Sequence, residues 1–427
     1  MSAANYSFAL WMVVVWPLLL AFPVLHSRLP WPRHLAILPA VVLVVFTGNI
    51  SLELPRVLFG TGFTIDGEVR WVLAMTMIIW LIAATMAESS RNAESERSIP
   101  FFMLTLAGNL GAVLTIDLAG FFSFSTIMGY GFYGMLVQDG NAALRRAGRL
   151  YLIFVVIADL ILFESLLLAV STTANLQFDV VHQAMTGASS SQFYVWMTLA
   201  GFMIKAGIWP AHLWLSALFK SASPSTILLL GGVPIAMGLL GAIRWLPIGE
   251  QGYFNTGLLM QITGMIAILY AALRFLTHIT VKGVLAWVTV AITGLLMAAL
   301  GTALAHPVIW PRYEFLAYPC IASLGIFLAL LAVAIDRTQG RHQQPDYTLQ
   351  QQKITSHWTG RWFAVAQGWT SNRLLWLHSL WCSSILIMTK PYQYIQNWQN
   401  TKLFLSGWST RITLFVLLGL ALAWMAA

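Results

Sequence analysis

Residues 201–215 read GFMIKAGIWPAHLWL, inside an apolar run from Phe193 to Phe219 whose single formal charge is Lys205. Prolines interrupt this region at Pro210 and again at Pro224. A lysine near the bilayer centre costs ~2.5 to 3.5 kcal/mol on insertion scales, so it usually faces a partner or water inside a helical bundle. Irregular backbone at that depth also needs shielding by protein or a wet cavity. The stretch therefore predicts an ion path beside a broken helix near residues 205–224.

The composition of the whole chain is that of a membrane protein. Of 427 residues, 59% are hydrophobic and 9% are charged, which excludes a water-soluble domain. Cys320 and Cys382 are too few and too scattered for a disulfide framework or a metal site. We expect no cofactor, no metal and no catalytic chemistry on this chain. The formal charge of +8 fits basic loops between apolar spans and does not predict a nucleic-acid partner.

A hydropathy window of about 19 residues predicts the fold class, an all-α, polytopic transmembrane helical bundle of about 12 spans. The first apolar run lacks a basic leading region and a cleavage site, so we interpret it as a retained helix. Residues 337–407 predict either an amphipathic segment at the membrane surface or a cytoplasmic loop. The predicted spans lie near residues 8–26, 34–50, 69–88, 99–116, 117–138, 150–172, 193–219, 225–247, 255–276, 283–304, 314–336 and 408–426.

Loop charge predicts how the bundle is oriented. Basic residues accumulate on the cytoplasmic side of membrane proteins. We therefore expect a protein of the cell inner membrane, in contact with lipid, with both termini on the outer (periplasmic) side. The loops after odd-numbered spans hold Arg28, Arg33, Arg91, Arg97, Arg145, Arg146, Arg149, Lys220, Arg274, Lys282, Arg337 and Arg341, and the opposite side holds Arg56, Arg70, Arg244 and Arg312.

Two acids in the sixth span are candidate partners for Lys205. Asp159 and Glu164 lie within residues 150–172, where no basic residue accompanies them. At about 1.5 Å per residue, Asp159 lies near mid-depth and Glu164 about 7 Å further toward the outside. Either acid can pair with Lys205, but their spacing places them on different helix faces. The alternative is that one acid binds hydroxyl groups or contacts another subunit.

Three stretches carry a resemblance to a known superfamily. Residues 201–215, followed nine residues later by Pro224, resemble the seventh-helix motif of the antiporter-like subunits of respiratory complex I. The same superfamily includes Mrp antiporter subunits, membrane arms of energy-converting hydrogenases and the membrane partner of DAB-type inorganic-carbon transporters. Residues 117–122 resemble the start of the fifth helix, and residues 282–289 resemble the tenth. The likeness covers roughly residues 70–305.

The resemblance implies a proton path. Superfamily members move protons through two half-channels, each with a broken helix, a buried lysine and an acid that tunes the lysine's proton affinity. Lys205 matches the seventh-helix lysine. His212, just past the break, is predicted to be a relay toward the cytoplasm or a helix-start histidine bonded to backbone. Lys282 opens the tenth span and is predicted to be an interface anchor or a path residue.

The chain also departs from the superfamily pattern. Alignment through Phe121 and Phe124 puts Thr126 where the fifth helix normally carries a glutamate, the usual partner of the lysine. The eighth-helix stretch, residues 227–242, has Pro234 and no titratable side chain. The lysine-bearing helices of a second half-channel are not recognisable. The chain is therefore interpreted as a divergent and shortened member.

The predicted domains follow from these observations. The second is the half-channel-like bundle that contains the broken helix, and the third is a reduced counterpart of it. The predicted boundaries are 1–98 for N-terminal transmembrane helices, 99–247 for the half-channel-like bundle, 248–336 for the reduced second bundle, 337–407 for the cytoplasmic or amphipathic segment and 408–427 for a C-terminal transmembrane helix.

The predicted function is that of a membrane subunit that moves protons or sodium ions within a multi-subunit complex. The expected partners are other membrane subunits and a peripheral subunit, either a redox arm or a zinc-containing protein that hydrates CO2 under proton drive. Two alternatives stay open. One is a non-conducting scaffold subunit of a redox-driven complex, and the other is a self-sufficient antiporter.

Overall fold

The computed structural model describes residues 3–46, 49–53, 61–89, 96–138, 142–250, 252–277 and 281–311, together with 317 and 321. All of them belong to the first of two units, Met1–Arg337 and Thr338–Ala427, into which the chain divides. The predicted segment at 337–407 and the predicted last span lie outside the described residues. The total of about twelve spans therefore stays a prediction.

The described residues are mostly helical. A short antiparallel β sheet pairs β1 (Ile50–Glu53) with β2 (Gly62–Ile65), and Ile50 lies opposite Ile65. A π-helical turn at Gly231–Ile235, which contains Pro234, joins two helices. The helices are α1 (Ala3–Leu20), α2 (Pro23–His26), α3 (Pro32–Phe46), α4 (Gly67–Ser89), α5 (Ile99–Leu114), α6 (Leu118–Gln138), α7 (Ala142–Thr172), α8 (Phe178–Met185), α9 (Ser191–Ala206), α10 (Leu213–Ser221), α11 (Pro224–Leu230), α12 (Ala236–Trp245), α13 (Phe254–Thr277) and α14 (Val281–Ala305).

Length and composition identify the segments that suit a membrane. Three shorter apolar helices accompany the long ones, at Ala9–Leu20, Pro32–Val45 and Ile99–Leu114. Large apolar side chains such as Ile153 and Met265 are more than half exposed, as expected of surfaces that face lipid. Within the described ranges, five segments are long and apolar enough to cross a bilayer, and these are Val69–Glu88, Ala142–Thr172, Pro224–Trp245, Phe254–Arg274 and Lys282–Ala305.

Helices α11 and α12 form the centre of the bundle. In their combined segment, Pro224–Trp245, 94% of the residues in the most apolar stretch are buried. Glycines let α12 approach α9 closely, because a Cβ added at Gly238 would lie 2.6 Å from the amide nitrogen of Ala206. A Cβ at Gly241 would lie 2.1 Å from the ring of Phe202. This close packing fixes the C-terminal end of α9, where Lys205 lies.

Hydrogen bonds of Asp117 connect strand β2 to helix α6 at the end of the bundle that is predicted to face outside. Asp117, before α6, accepts hydrogen bonds from Thr61 Oγ1 at 2.6 Å and from the amide groups of Gly62 and Gly120. The carboxylate therefore caps α6 and ties it to strand β2. Asp117 thus acts as a structural cap in this part of the chain.

Arg244 connects α12 to the end of α5 at the same end of the bundle. Its guanidinium is buried and donates hydrogen bonds to the carbonyl oxygens of Ala112 and Thr115 at 3.0 and 3.3 Å. The backbone carbonyl of Arg244 lies 3.0 Å from Nε2 of His182 in the short helix α8. Burial lowers the pKa of His182 below its ordinary value, although Asp179 acts in the opposite direction. A neutral His182 is therefore expected at pH 7.

An ion pair lies among α3, α4 and α5. Arg33 Nη1 lies 3.3 Å from Glu88 Oε2, and the Arg33 side chain is only 2% exposed. The guanidinium also stacks over the Phe102 ring, 5.7 Å from its centroid. The loop charge Arg33 of the sequence prediction is thus a buried, paired residue at the start of α3.

Helices α13 and α14 form a tight antiparallel pair. A Cβ added at Gly264 would lie 2.4 Å from the Gly294 carbonyl oxygen, and one at Gly257 would lie 2.5 Å from the Gly301 carbonyl oxygen. Real Cβ atoms do not approach backbone oxygens so closely, so the contact requires glycine. Small residues at helix interfaces are a common means of close packing in membranes.

We expect Gly264→Ala to destabilise the protein by about 1 to 3 kcal/mol, because the added methyl group must push two helix backbones apart. The measurement is the midpoint of thermal unfolding of the purified chain in detergent. Gly67→Ala is the matched control, since a Cβ there meets nothing within 4 Å. Equal midpoints for the two variants would contradict the close approach of α13 and α14.

Candidate ion-path site

The helix that carries Lys205 ends one residue after it. Gly207 adopts φ 65°, a left-handed conformation that favours glycine, and it stops α9. The amide groups of Gly207 and Ile208 donate to the carbonyl oxygens of Ile204 and Met203 at 3.2 and 3.0 Å. The backbone is thus satisfied at the break, and the next helix, α10, begins six residues later.

The prolines that the sequence marks as breaks lie at the two ends of α10. Pro210 lies in the connection between α9 and α10, in a cis peptide bond with Trp209. Pro224 is the first residue of α11, where the missing amide hydrogen costs nothing. The indole of Trp214 donates to the Ile204 carbonyl oxygen at 3.1 Å and holds α10 against the end of α9.

Lys205 forms an ion pair in the interior of the bundle. Its Nζ atom lies 2.7 Å from Oδ1 of Asp159 on α7, and the two side chains are 7% and 8% exposed. Nζ also donates a hydrogen bond to Ser125 Oγ on α6 at 3.0 Å. Three helices therefore meet at one buried charge. The carbonyl ends of the last turn of α9 add a further favourable field for a cation.

Ser125 is oriented by a second hydrogen bond. Its hydroxyl donates to the Phe122 carbonyl oxygen at 3.1 Å, so its lone pairs are left to accept from Lys205. Sequence reasoning placed Thr126 in the path and missed Ser125. The available signal was the row of hydroxyl residues Ser123, Ser125 and Thr126 within an otherwise apolar helix.

One carboxylate oxygen of Asp159 has no hydrogen-bond donor among the described residues. Its Oδ2 atom is buried and receives no hydrogen bond from the part of the chain that the structure describes. A buried carboxylate oxygen without a donor is costly, and binding a proton or a water molecule removes that cost. The carboxylate can therefore hold Lys205 with one oxygen and accept a proton with the other.

No hydrogen bond or ion pair joins Glu164 or Thr126 to Lys205 in the part of the chain that the structure describes. Glu164 is half-buried on α7, and no ion pair or hydrogen bond joins it to the described residues. Thr126 lies one position beyond Ser125, and its Oγ1 atom is buried without a hydrogen-bond partner in the described ranges. Of the two acids that the sequence offers, the structure places Asp159 against the lysine.

His212 lies in an aromatic enclosure just past the break. It is 4% exposed, precedes α10 and makes no capping hydrogen bond with its side chain. Its ring centroid lies 5.2 Å from that of Tyr270 and 5.7 Å from that of Trp287. The guanidinium of Arg274 stacks over both of these rings at the exposed edge. His212 is therefore enclosed by α13 and α14, and does not contact Lys205 directly.

Lys282 reaches the second break. Its Nζ atom donates a hydrogen bond to the Ala222 carbonyl oxygen at 2.8 Å, in the connection between α10 and α11. The lysine is half-buried, and this contact is with backbone. Lys282 thus ties α14 to the broken helix. Among the described residues, no hydrogen bond joins Lys282 to Lys205.

The sequence around this site matches a known family of membrane proteins. The family model described as "NADH:quinone oxidoreductase/Mrp antiporter, TM" matches residues 115–358, more than half of the chain. The chain belongs to this family. The resemblance predicted from residues 201–215 is thereby confirmed at the level of the family, and the matched range contains Lys205, Asp159 and Ser125.

Curated relatives are distant and longer. NAD(P)H-quinone oxidoreductase chain 4 3 of Picosynechococcus sp. is 25% identical over 307 residues, covering 65% of this chain and 54% of that protein. A subunit of the Na⁺/H⁺ antiporter of Alkalihalophilus pseudofirmus is 22% identical over 280 residues, covering 63% and 56%. The chain spans about half the length of these curated relatives.

Solved structures share the fold. The Mrp complex from Dietzia sp. DQ12-45-1b contains a chain with a TM-score of 0.66 and 21% identity, covering 78% of this chain and 64% of that one. The membrane-bound sulfane sulfur reductase, an archaeal respiratory membrane complex, gives a TM-score of 0.61 and 17% identity, covering 77% and 70%. The fold of the family's membrane subunits is therefore present here.

Replacing Lys205 alone should destabilise the chain, because Asp159 then stays buried without a counter-charge. We expect Lys205→Met to cost about 3 kcal/mol, the lower end for a broken buried pair, since Asp159 can take up a proton. Adding Asp159→Leu should restore most of the loss, because both charges are then gone. The measurement is a double-mutant cycle of unfolding midpoints in detergent.

Lys220→Met is the control for this cycle, since Lys220 is an exposed lysine on the adjacent helix α10. We expect it to leave the unfolding midpoint unchanged. Additive effects of Lys205→Met and Asp159→Leu would contradict a direct interaction between the two side chains.

Proposed function

We propose that this chain is a membrane subunit of a multi-subunit complex that moves protons or sodium ions, and that the Lys205–Asp159 pair is the element that binds and releases charge. The observation that carries the proposal is the 2.7 Å contact between Lys205 Nζ and Asp159 Oδ1 in the buried interior, directly beside a helix break. Membership of the antiporter-like family supports it.

The chemistry of the pair suits charge movement. A lysine in low-dielectric surroundings binds its proton less tightly than in water, and an adjacent carboxylate restores the affinity. A proton that arrives at Asp159 Oδ2 neutralises the carboxylate and removes the counter-charge of Lys205. The lysine can then release its own proton. Ser125 keeps the amine in place during both states, because a hydroxyl accepts a hydrogen bond from charged or neutral amine.

The exit toward the predicted cytoplasmic side passes His212 in this proposal. A neutral imidazole can accept a proton at one ring nitrogen and donate at the other, so it serves as a relay without moving far. The aromatic enclosure of His212 excludes bulk water. Thr126, with its unbonded hydroxyl, and Lys282, at the second break, are proposed as supporting members of the path.

The energy for transport is proposed to come from a partner. Named relatives include quinone oxidoreductase subunits, a Na⁺/H⁺ antiporter subunit and Hydrogenase-4 component B of Escherichia coli. A peripheral subunit with redox centres is one candidate, and a zinc-containing subunit that hydrates CO2 is the other. The genes beside the one that encodes this chain distinguish the two, since each partner has a recognisable set of metal-ligating residues.

A second candidate is a non-conducting scaffold subunit. It is favoured by Thr126, which stands where relatives of the superfamily carry a glutamate. It is also favoured by the central segment from Pro224 to Ile243, which has no titratable side chain. In this case the Lys205–Asp159 pair would be only a structural tie between α7 and α9.

Lys205→Ala distinguishes the two candidates. We expect the assembled complex in sealed vesicles to lose most of its ion-coupled activity, because no other base contacts Asp159 among the described residues. Internal pH is followed with an entrapped dye, in sodium-containing and sodium-free buffers, so that the ion is identified in the same experiment. Complex integrity is checked on native gels.

Lys220→Ala is the matched control and is expected to transport normally, because its side chain is exposed on the same broken helix. Full transport by Lys205→Ala with an intact complex would overturn the conducting role and support the scaffold.

A further inference from the structure

Glu164 lies on the outward face of α7. Its neighbours along this face, Leu160, Phe163 and Leu167, are 44%, 44% and 45% exposed. We call these three residues and Glu164 the α7 outer face. Phe122 of α6 packs against Phe163 with ring centroids 6.0 Å apart, so α6 borders the same surface. A carboxylate is thus set into an otherwise apolar, partly aromatic surface.

The opposite face of α7 is occupied within the chain. Ser165 exchanges a hydrogen bond with Thr198 of α9, and Gly201 of α9 leaves room for Leu162. Asp159 binds Lys205 on this side. Because successive helix residues are rotated by about 100°, Glu164 turns away from α9 when Ser165 faces it. The lysine of this chain is therefore not the partner of Glu164.

No other partner is present in the described part of the chain. Neither a hydrogen bond nor an ion pair from those residues reaches the Glu164 carboxylate. The position is about 7 Å from Asp159 along the helix axis, well inside the apolar span Ala142–Thr172. An unpaired acid at this depth is expensive in lipid, and such acids usually pair with a base or face a wet cavity.

We propose that the α7 outer face is a contact surface for a neighbouring membrane subunit, and that the partner's transmembrane helix presents a basic side chain to Glu164. Acyl chains cannot offer hydrogen-bond donors, whereas Lys, Arg or His on a packed helix can. The exposed Phe163 and the two leucines supply the apolar contact around the charged pair, the usual arrangement of an interface core. The proposal does not require this chain to conduct ions.

The test is labelling with a membrane-permeant carbodiimide, which reacts with protonated carboxyl groups in apolar surroundings. The full chain purified in detergent is compared with the same chain in native membranes, and modified peptides are located by mass spectrometry. We expect strong modification of Glu164 in the purified chain and loss of most of that label in native membranes. Asp159, buried against Lys205 in both preparations, is the internal control on the same helix.

A pair of variants gives an independent readout. Glu164→Leu should leave the chain at least as stable in detergent, because it removes a carboxylate from an apolar face. On native gels of solubilised membranes, however, we expect the same variant to lose most of the high-mass complex, and Glu164→Gln to lose part of it. Lys220→Ala is the control that should keep the complex.

Two results would overturn the proposal. Equal labelling of Glu164 in both preparations would mean that the residue faces lipid in the native membrane. An unchanged high-mass complex with Glu164→Leu would mean that no partner depends on the carboxylate. Neither readout depends on whether Lys205→Ala transports ions. The contact surface and the proposed ion-moving function are therefore tested separately.

Discussion

The structure depends on one buried ion pair, Lys205 with Asp159. Each of the two charges is costly to bury alone, and the other charge supplies the largest part of the compensation. The pair therefore fixes α9 against α7, and the hydrogen bond to Ser125 adds α6. Helix α9 ends one residue after the lysine, so Lys205 lies in its last turn, where the carbonyl end of the helix favours a cation.

Close backbone packing holds this arrangement in place. Gly238 and Gly241 bring α12 against α9, and the glycines of α13 and α14 make a rigid pair that encloses His212. In lipid, the hydrophobic effect does not drive helices together. Their association depends instead on van der Waals contact, and small residues allow the helix backbones to come close enough for it. The result is a closely packed set of helices around the Lys205–Asp159 pair.

The sequence predicted the helical membrane fold and the importance of Lys205. It did not determine which side chains are the partners of Lys205, for physical reasons. The prolines at 210 and 224 predicted interruptions in this stretch, and α9, α10 and α11 end or begin around them, because a missing amide hydrogen is a local property. The choice between Asp159 and Glu164 was not predictable, since helix rotation and partner position are set by tertiary packing. Ser125 was missed because a lone hydroxyl has no sequence signature.

The central claim is that the Asp159 charge controls Lys205. Asp159→Asn keeps the size of the side chain and removes its charge, so it isolates this one interaction. The measurement is ion-coupled pH change in vesicles that contain the assembled complex. The account predicts that complexes assembled with this variant lose most of their transport, and the amount of assembled complex is measured on native gels alongside. Normal transport by an intact Asp159→Asn complex would contradict it, because the ion pair would then have no part in moving charge.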